Sequence, residues 1–354
     1  MKKERMLYPE FIRIIAILLI CFNHISSQEI RASVFWSSRW QISHFFNILI
    51  SSWPVILFLM ISGIFLLNPE KTITASKILK SYILRMLMAI CIMVPLFDIC
   101  YSVFYRDTFS ISLQDLKHAL ITLLKNDGNV VYWFLYMMIG LYLVLPFLRI
   151  LVKEMDQKTY LYLLAILFVT NCIIPYVEPL GIGAFSYANL FLRKLKLTGF
   201  LKYSGFLLAG WYIYRYPLSK IQRYIFYGIA VFSMGVTVFL ARKASLTLGG
   251  WEETWTNDFA PGIVITGIAV FIFLTQIGSS PFWEKFRKPI LLGGQLSFGI
   301  YLVHNIFIHF LVSQKMIGRY SPFWEIPVLS FLVFFVSGII VYLLRKIKII
   351  RFWM

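Results

Sequence analysis

Residues 8–24 read Tyr-Pro-Glu-Phe-Ile-Arg-Ile-Ile-Ala-Ile-Leu-Leu-Ile-Cys-Phe-Asn-His. From Ile14 to Phe22 there is no polar side chain. A helix needs about 20 largely apolar residues to cross hydrocarbon, and a spanning helix satisfies its own backbone hydrogen bonds there. The run is therefore read as a membrane helix. Met1–Arg5 is basic, but the run behind it carries Arg13 and no small-residue cleavage site, so it is expected to stay in the mature protein and not to act as a signal peptide.

The rest of the sequence repeats this theme. Ten apolar segments are predicted to span, at 8–26, 44–67, 81–104, 130–149, 159–178, 197–214, 223–241, 260–277, 290–313 and 324–344. The chain of 354 residues is 59% hydrophobic, 18% aromatic and only 14% charged, whereas soluble domains are roughly 45–50% apolar and about 25% charged. A soluble protein and a disordered one are both excluded. The expected class is an all-α polytopic membrane protein formed by one membrane domain over 1–354.

The net charge of +18 sits in short clusters between apolar runs, not on a phosphate-binding face, so no nucleic-acid partner is expected. With the N-terminus inside, the inner segments hold Lys2, Lys3, Arg5, Lys71, Lys77, Lys80, Arg149, Lys153, Lys158, Arg215, Lys220, Arg223, Lys285, Arg287, Lys288, Arg345, Lys346, Lys348 and Arg351. Most acids, among them Asp107, Asp115, Asp127, Glu252, Glu253 and Asp258, fall outside. This is the positive-inside pattern, and it puts both termini in the cytoplasm. Cys21, Cys91, Cys100 and Cys172 lie in apolar runs without metal or redox spacing and are expected to be free and buried.

Ionisable groups inside spanning helices are costly and mark function. They are Glu10, Arg13, His24, Arg85, Asp98, Lys202, His304 and His309. Arg13 and His24 are eleven residues apart, so they share a helix face about 16 Å apart along its axis. Glu10 stands one turn before Arg13 and can pair with it. A guanidinium suits phosphate or carboxylate, and a sheltered imidazole suits general-base work. The competing reading is an Arg that snorkels to the surface and a His satisfied by a neighbouring helix. Ser297, Tyr301 and His304 share a face of a later helix. His24 and His304 fall at similar depth, either as one reaction centre or as separate packing bonds. No metal site is expected, because no Asp, Glu or Cys cluster has ligand spacing. Arg85, with Lys80 and Lys77 before it, either holds an anion's phosphates or anchors the inner surface. Asp98 and Lys202 pair with each other or with solvent. His44 and His118 are expected to be solvated.

These residues carry a resemblance. Tyr8 to His24, with Arg13, ten intervening residues and His24, is similar to the first-helix signature of the acyltransferase-3 family of integral membrane O-acyltransferases. Val55-Ile-Leu-Phe-Leu-Met-Ile-Ser62-Gly63 resembles its second-helix run ending in Ser-Gly. Trp133-Phe-Leu-Tyr136, continuing to Leu141-Tyr-Leu-Val-Leu-Pro146, resembles its fourth-helix pattern, and Ser297 to His304 its late Ser-Phe-x-Ile-Tyr-Leu-x-His pattern. The four come in the family's order over residues 8 to about 310, and the likeness is to the compact subgroup acting on bacterial surface polysaccharides. Two positions depart. Tyr82 stands three before Arg85 where the family often has a base, and Val131 and Tyr132 precede Trp133 where relatives often carry His.

The resemblance implies transfer of an acyl group, acetyl by preference, from cytoplasmic acyl-CoA to a hydroxyl of a surface polysaccharide or lipid-linked sugar. The location implied is the bacterial plasma membrane, and no cofactor is permanently bound. It implies His24 as general base or acyl carrier with Arg13 beside it, donor phosphates at Lys77, Lys80 and Arg85, and substrate groups at Glu10, Asn23, Ser62, Trp133, Tyr136, Ser297, Tyr301 and His304. A transporter or flippase for a lipid-linked glycan also uses buried Arg and His, but visible inverted repeats are lacking. In a non-catalytic scaffold or sensor, His24 would be replaceable.

Overall fold

The computed structural model describes residues 6–51, 53–106, 113–114, 117–118, 120–121, 131–180, 194 and 201–354. Lys2, Lys3, Glu4, Arg5, Asp107, Asp115 and Asp127, and most of 105–129 and 179–196, lie outside them. Among the described residues the regular structure is entirely helical. In order come α1 (Tyr8–Ala32), α2 (Ser38–Ile50), α3 (Trp53–Leu66), α4 (Leu84–Phe104), α5 (Trp133–Glu154), α6 (Gln157–Phe168), α7 (Ser204–Arg215), α8 (Lys220–Leu248), α9 (Pro261–Gly278), α10 (Arg287–Ser313), α11 (Pro322–Leu344) and α12 (Lys348–Trp353). A π-helical turn, Ile78–Ile83, leads into α4, and another, Val169–Ile173, continues α6. Nine helical stretches among the described residues are long and apolar enough to cross a membrane, the α2–α3 pair being one of them.

The expected segments correspond to these helices with altered ends, and local chemistry explains the larger differences. The first helix runs to Ala32, six residues past the expected end, because Glu29 is paired inside the protein. The expected segment 223–241 is the 29-residue α8. Ser219 and Gln222 form a reciprocal capping box at its start, and Gly249 closes it with φ 72°, a left-handed conformation that Gly adopts freely. The expected outer loop from 242 is therefore helical as far as Leu248. The expected segment 197–214 is described as the 12-residue α7, with 195–200 outside the described residues. Segment 44–67 is two helices, with Pro54 in the first turn of α3, where its missing N–H costs nothing.

The chain forms two compact units. The first comprises residues 1–47, 73–144 and 283–354. Its centre is α1 packed on α10 and α11, with α4 also against α10 and α12 against α4. Cys21, Ile25, Ile308, Leu311, Ile326, Leu329 and Val333 form the apolar core there. Gly294 lets α1 and α10 close together, since a Cβ there would stand 2.2 Å from Glu10 Oε2 and 3.0 Å from Glu10 Cα. Ile14 meets Gly293 as Glu10 meets Gly294, and His24 meets His304, so the two helices run parallel.

The second unit comprises residues 48–72 and 145–282. Here α3 and α7 cross at two glycines. A Cβ on Gly63 would lie 2.0 Å from Leu207 O, and one on Gly210 would lie 2.1 Å from Met60 O. Lipid chains give apolar helices little reason to associate, so close backbone approach through small residues carries much of the packing. The Arg149 guanidinium donates to the carbonyls of Leu66, Asn68 and Lys71, closing the C-terminal end of α3. In the short link between α5 and α6, Asp156 caps α6 by accepting the Thr159 N–H at 2.9 Å. That bond holds its carboxyl below the ordinary carboxylate range.

Candidate active site

The site grows from α1. Its Glu10 is 1% exposed, and Arg13 Nη1 donates to Glu10 Oε1 at 2.9 Å. One turn of helix thus neutralises its own charges, which lowers the cost of holding either in a low-dielectric place. Arg85 of α4 and the ring of Tyr142 are close enough to Arg13 to interact electrostatically, and Arg345 at the end of α11 is that close to Arg85. Arg345 donates to Gln295 O at 2.5 Å. Burial first, then Arg351, pulls the Arg345 pKa below its ordinary value. Among the described residues, the guanidinium groups of Arg13, Arg85 and Arg345 give this end of the first unit a basic character beside the carboxylate of Glu10.

Arg85 is built into that wall. Its Nε donates to Trp353 O at 3.1 Å and its Nη2 to Met354 O at 3.0 Å, and its guanidinium lies 4.6 Å from the ring centre of Phe298. Lys77 and Lys80 are exposed in the turn before α4. The three bases grouped by sequence spacing therefore differ: one is half-buried and oriented by neighbours, and two reach solvent.

Further along α1, His24 meets His304, with ring centroids 5.4 Å apart and planes at 37°. His304 is fully buried. Its Nδ1 lies 2.7 Å from the carbonyl of Tyr301, while Nε2 is buried without a hydrogen-bond partner. A carbonyl only accepts, so Nδ1 carries the proton, and in a neutral ring Nε2 keeps its lone pair. The pair thus presents a basic nitrogen sheltered from water. His309 is close enough to His24 to interact electrostatically.

The remaining candidates have other partners. Ser297 Oγ donates to Gly294 O at 2.8 Å and Tyr301 Oη to Val131 O at 2.6 Å. Tyr132 Oη returns the favour to Leu302 O at 2.7 Å. Val131 and Tyr132 thereby clasp α10 one turn from His304. Asn23 contributes its carbonyl, which accepts from Ser26, Ser27 and Asn47. Trp133 packs on Phe134, whose ring is 5.5 Å from Tyr301, and Tyr136 is half-buried on α5. Ser62 belongs to the second unit and donates to Phe58 O at 2.8 Å.

Several expectations are corrected. His44 is not solvated: it is fully buried, 4.4 Å from the Trp40 ring centre, because α2 begins at Ser38 and carries it inside. Asp98 pairs with His118 Nδ1 at 2.8 Å, although the His118 side chain is 70% exposed. Lys202 lies 4.5 Å over the Phe259 ring, beside a cavity of about 370 Å³ in the second unit that is also lined by Asn171, Tyr176, Thr254 and Asn257. All four cysteines are free, but Cys91 is exposed.

Spacing also missed a charge cluster at the other end of α1. Arg39 Nε and Nη2 donate to both oxygens of Glu29, at 2.9 and 3.1 Å, and Nη2 also reaches Glu325 Oε2 at 2.7 Å. The N–H groups of Gly318, Arg319 and Tyr320 complete the carboxylates' bonding. Its one local signal was an acidic residue in the first turn of α11, a favoured place for a carboxylate.

The fold and site together define a multi-pass, all-α membrane protein with a buried histidine beside a half-buried one and a basic end on one helix pair. The chain belongs to the acyltransferase-3 family: the family model for the acyltransferase domain matches residues 6–344. No curated protein and no solved structure matches it.

Proposed function

We propose that this membrane acyltransferase moves an acetyl group from cytoplasmic acetyl-CoA to a hydroxyl of a bacterial surface polysaccharide or its lipid-linked precursor, in the plasma membrane. The observation that carries the reading is the pairing of half-buried His24, on the helix that also holds Arg13, with buried His304 of α10, whose Nε2 has no hydrogen-bond partner. A polyanionic donor suits the Arg13, Arg85 and Arg345 end, with Lys77 and Lys80 toward solvent, and its thioester arm would run along α1 toward His24. There an imidazole takes the hydroxyl proton and the oxygen attacks the thioester carbonyl. The C–O bond forms, the C–S bond breaks, and the CoA thiolate leaves with the proton. In the covalent variant His24 carries the acetyl group between two such steps.

The test uses isolated membranes and acetyl-CoA labelled on the acetyl group. Wild-type protein is compared with His24→Ala at matched expression, and alkali-labile label is counted in the glycan fraction. Label that depends on His24 supports the reading. Equal label in both removes His24 as an essential group, and no consumption of acetyl-CoA by either turns the reading toward transport.

A further inference from the structure

Phe97 and Tyr101 of α4 and Tyr105 at its C-terminal cap recur every fourth residue and so share one face. That face meets His309 of α10. The His309 ring centre lies 5.4 Å from Phe97, 5.1 Å from Tyr101 and 6.1 Å from Tyr105. Tyr105 Oη is 3.1 Å from His309 Nδ1. Tyr101 and Tyr105 are themselves 4.5 Å apart. Phe97 also stands edge-on to Tyr132, whose hydroxyl holds the carbonyl of Leu302 two residues before His304. Asp98, beside this face, carries the His118 pair.

Exposure rises along the cluster. His304 is fully buried, Phe97 is 5% exposed, His309 is half-buried, and Tyr101 and Tyr105 are 42% and 47% exposed. The aromatic face therefore leads from the histidine pair to the surface. We propose that Phe97, Tyr101, Tyr105 and His309 form the subsite that holds a pyranose ring of the acceptor, presenting its hydroxyl to His24 and His304. The proposal rests on the acyl-transfer reading above and assigns its acceptor to named groups.

The chemistry selects a sugar. A pyranose has an apolar C–H face that stacks on aromatic rings and a rim of hydroxyls that needs donors and acceptors. Here ring faces, a phenol, an imidazole and the Asp98–His118 pair occur together. An acyl chain has no use for the polar groups. Tyrosines of an interfacial aromatic belt turn their hydroxyls to water and headgroups, whereas Tyr105 turns its hydroxyl to a histidine that reaches the reactive pair.

The experiment uses the full chain in nanodiscs of neutral phospholipid, with methyl β-D-glucopyranoside and methyl β-D-galactopyranoside as probes. Saturation-transfer NMR reads binding. The variants are Tyr101→Ala, Tyr105→Phe and His309→Gln, each checked for an unchanged thermal midpoint, with Phe97→Leu as a milder substitute should one fail to fold. Stacking of one ring is worth up to about ten-fold in affinity. Wild type should give saturation transfer to the sugar ring protons, and Tyr101→Ala should weaken it by about that factor. In the labelled-acetyl assay the same change should raise KM for the acceptor and leave KM for acetyl-CoA unchanged. Equal probe binding in wild type and all variants, or none in wild type, overturns the subsite. Were acetyl-CoA consumption His24-dependent while the variants bound the glycosides normally, the subsite would fail and the acyl-transfer reading would stand. Binding lost in the variants without any acetyl-CoA consumption would keep the subsite and remove the acyl-transfer reading.

Discussion

The imidazoles of His24 and His304 stand 5.4 Å apart between ring centres, brought together by two parallel helices from opposite ends of the sequence. The hydrogen bond from His304 Nδ1 to Tyr301 O leaves its Nε2 as the unprotonated nitrogen of a neutral ring. His304→Asn can keep a donor for that carbonyl while removing the second ring nitrogen. It should lower kcat for acetyl transfer by about 10²–10⁴-fold, the usual worth of a general base, with little change in KM for acetyl-CoA. A kcat within two-fold of wild type in the labelled-acetyl assay would count against any proton-transfer role for His304.

Arg85 is predicted to act on the donor. Charge-assisted hydrogen bonds are worth about 1.5–3 kcal/mol, so Arg85→Ala should raise KM for acetyl-CoA by about 10- to 100-fold. Because Arg85 also holds the carbonyls of Trp353 and Met354, the substitution should make α12 more sensitive to protease. Protease sensitivity without a change in KM would leave Arg85 a purely structural role.

Glycine positions separate helix crossings from open faces. Gly63→Ala and Gly210→Ala force a Cβ onto a facing carbonyl at 2.0 and 2.1 Å. Each should cost about 1–3 kcal/mol, as overpacking does. At Gly228, in the interior of α8, nothing lies within 4 Å, so Gly228→Ala should stabilise by about 0.5–1 kcal/mol. Thermal midpoints of detergent-solubilised variants decide the matter, and a drop for Gly228→Ala as large as for Gly63→Ala would contradict it.

Arg39→Met strands the carboxylates of Glu29 and Glu325, whose side chains are 0% and 2% exposed. Breaking a buried ion pair on one side costs about 3–5 kcal/mol. Adding Glu29→Gln and Glu325→Gln should restore much of the loss, since the triple variant buries no uncompensated charge. Unfolding midpoints of the single and triple variants provide the check. A triple variant no more stable than Arg39→Met would assign the defect to lost packing around the arginine stem.

Sequence periodicity made the helices legible because each carries its own apolar run. It also put Arg13 and His24 on one face, since that is a property of a single helix. It failed where meaning depends on a distant partner. The predicted first helix stopped at residue 26, short of Glu29, yet Arg39 pairs with Glu29 and with Glu325 and keeps the helix going to Ala32. The resemblance implied Tyr301 as a substrate group, and nothing on its own helix signalled that its hydroxyl donates to Val131 O. His44 read as solvated because the predicted helix began at residue 44, and the six residues before it turn out to be helical too. Gly63 carried no signal distinguishing a crossing point from an open face, because the backbone it meets lies in α7.

The parallel pairing of α1 with α10 also sets a schedule for biogenesis. At about 5–20 residues per second, α10 leaves the ribosome on the order of tens of seconds after α1. During that interval the first helix enters the bilayer without its final neighbours. Pairing Glu10 with Arg13 within one turn lets it do so with those two charges already cancelled, and Arg39 on the next helix is the earliest partner for Glu29. His24, uncharged when deprotonated, can wait for His304. The order in which these polar groups find partners thus matches the order in which the chain is made.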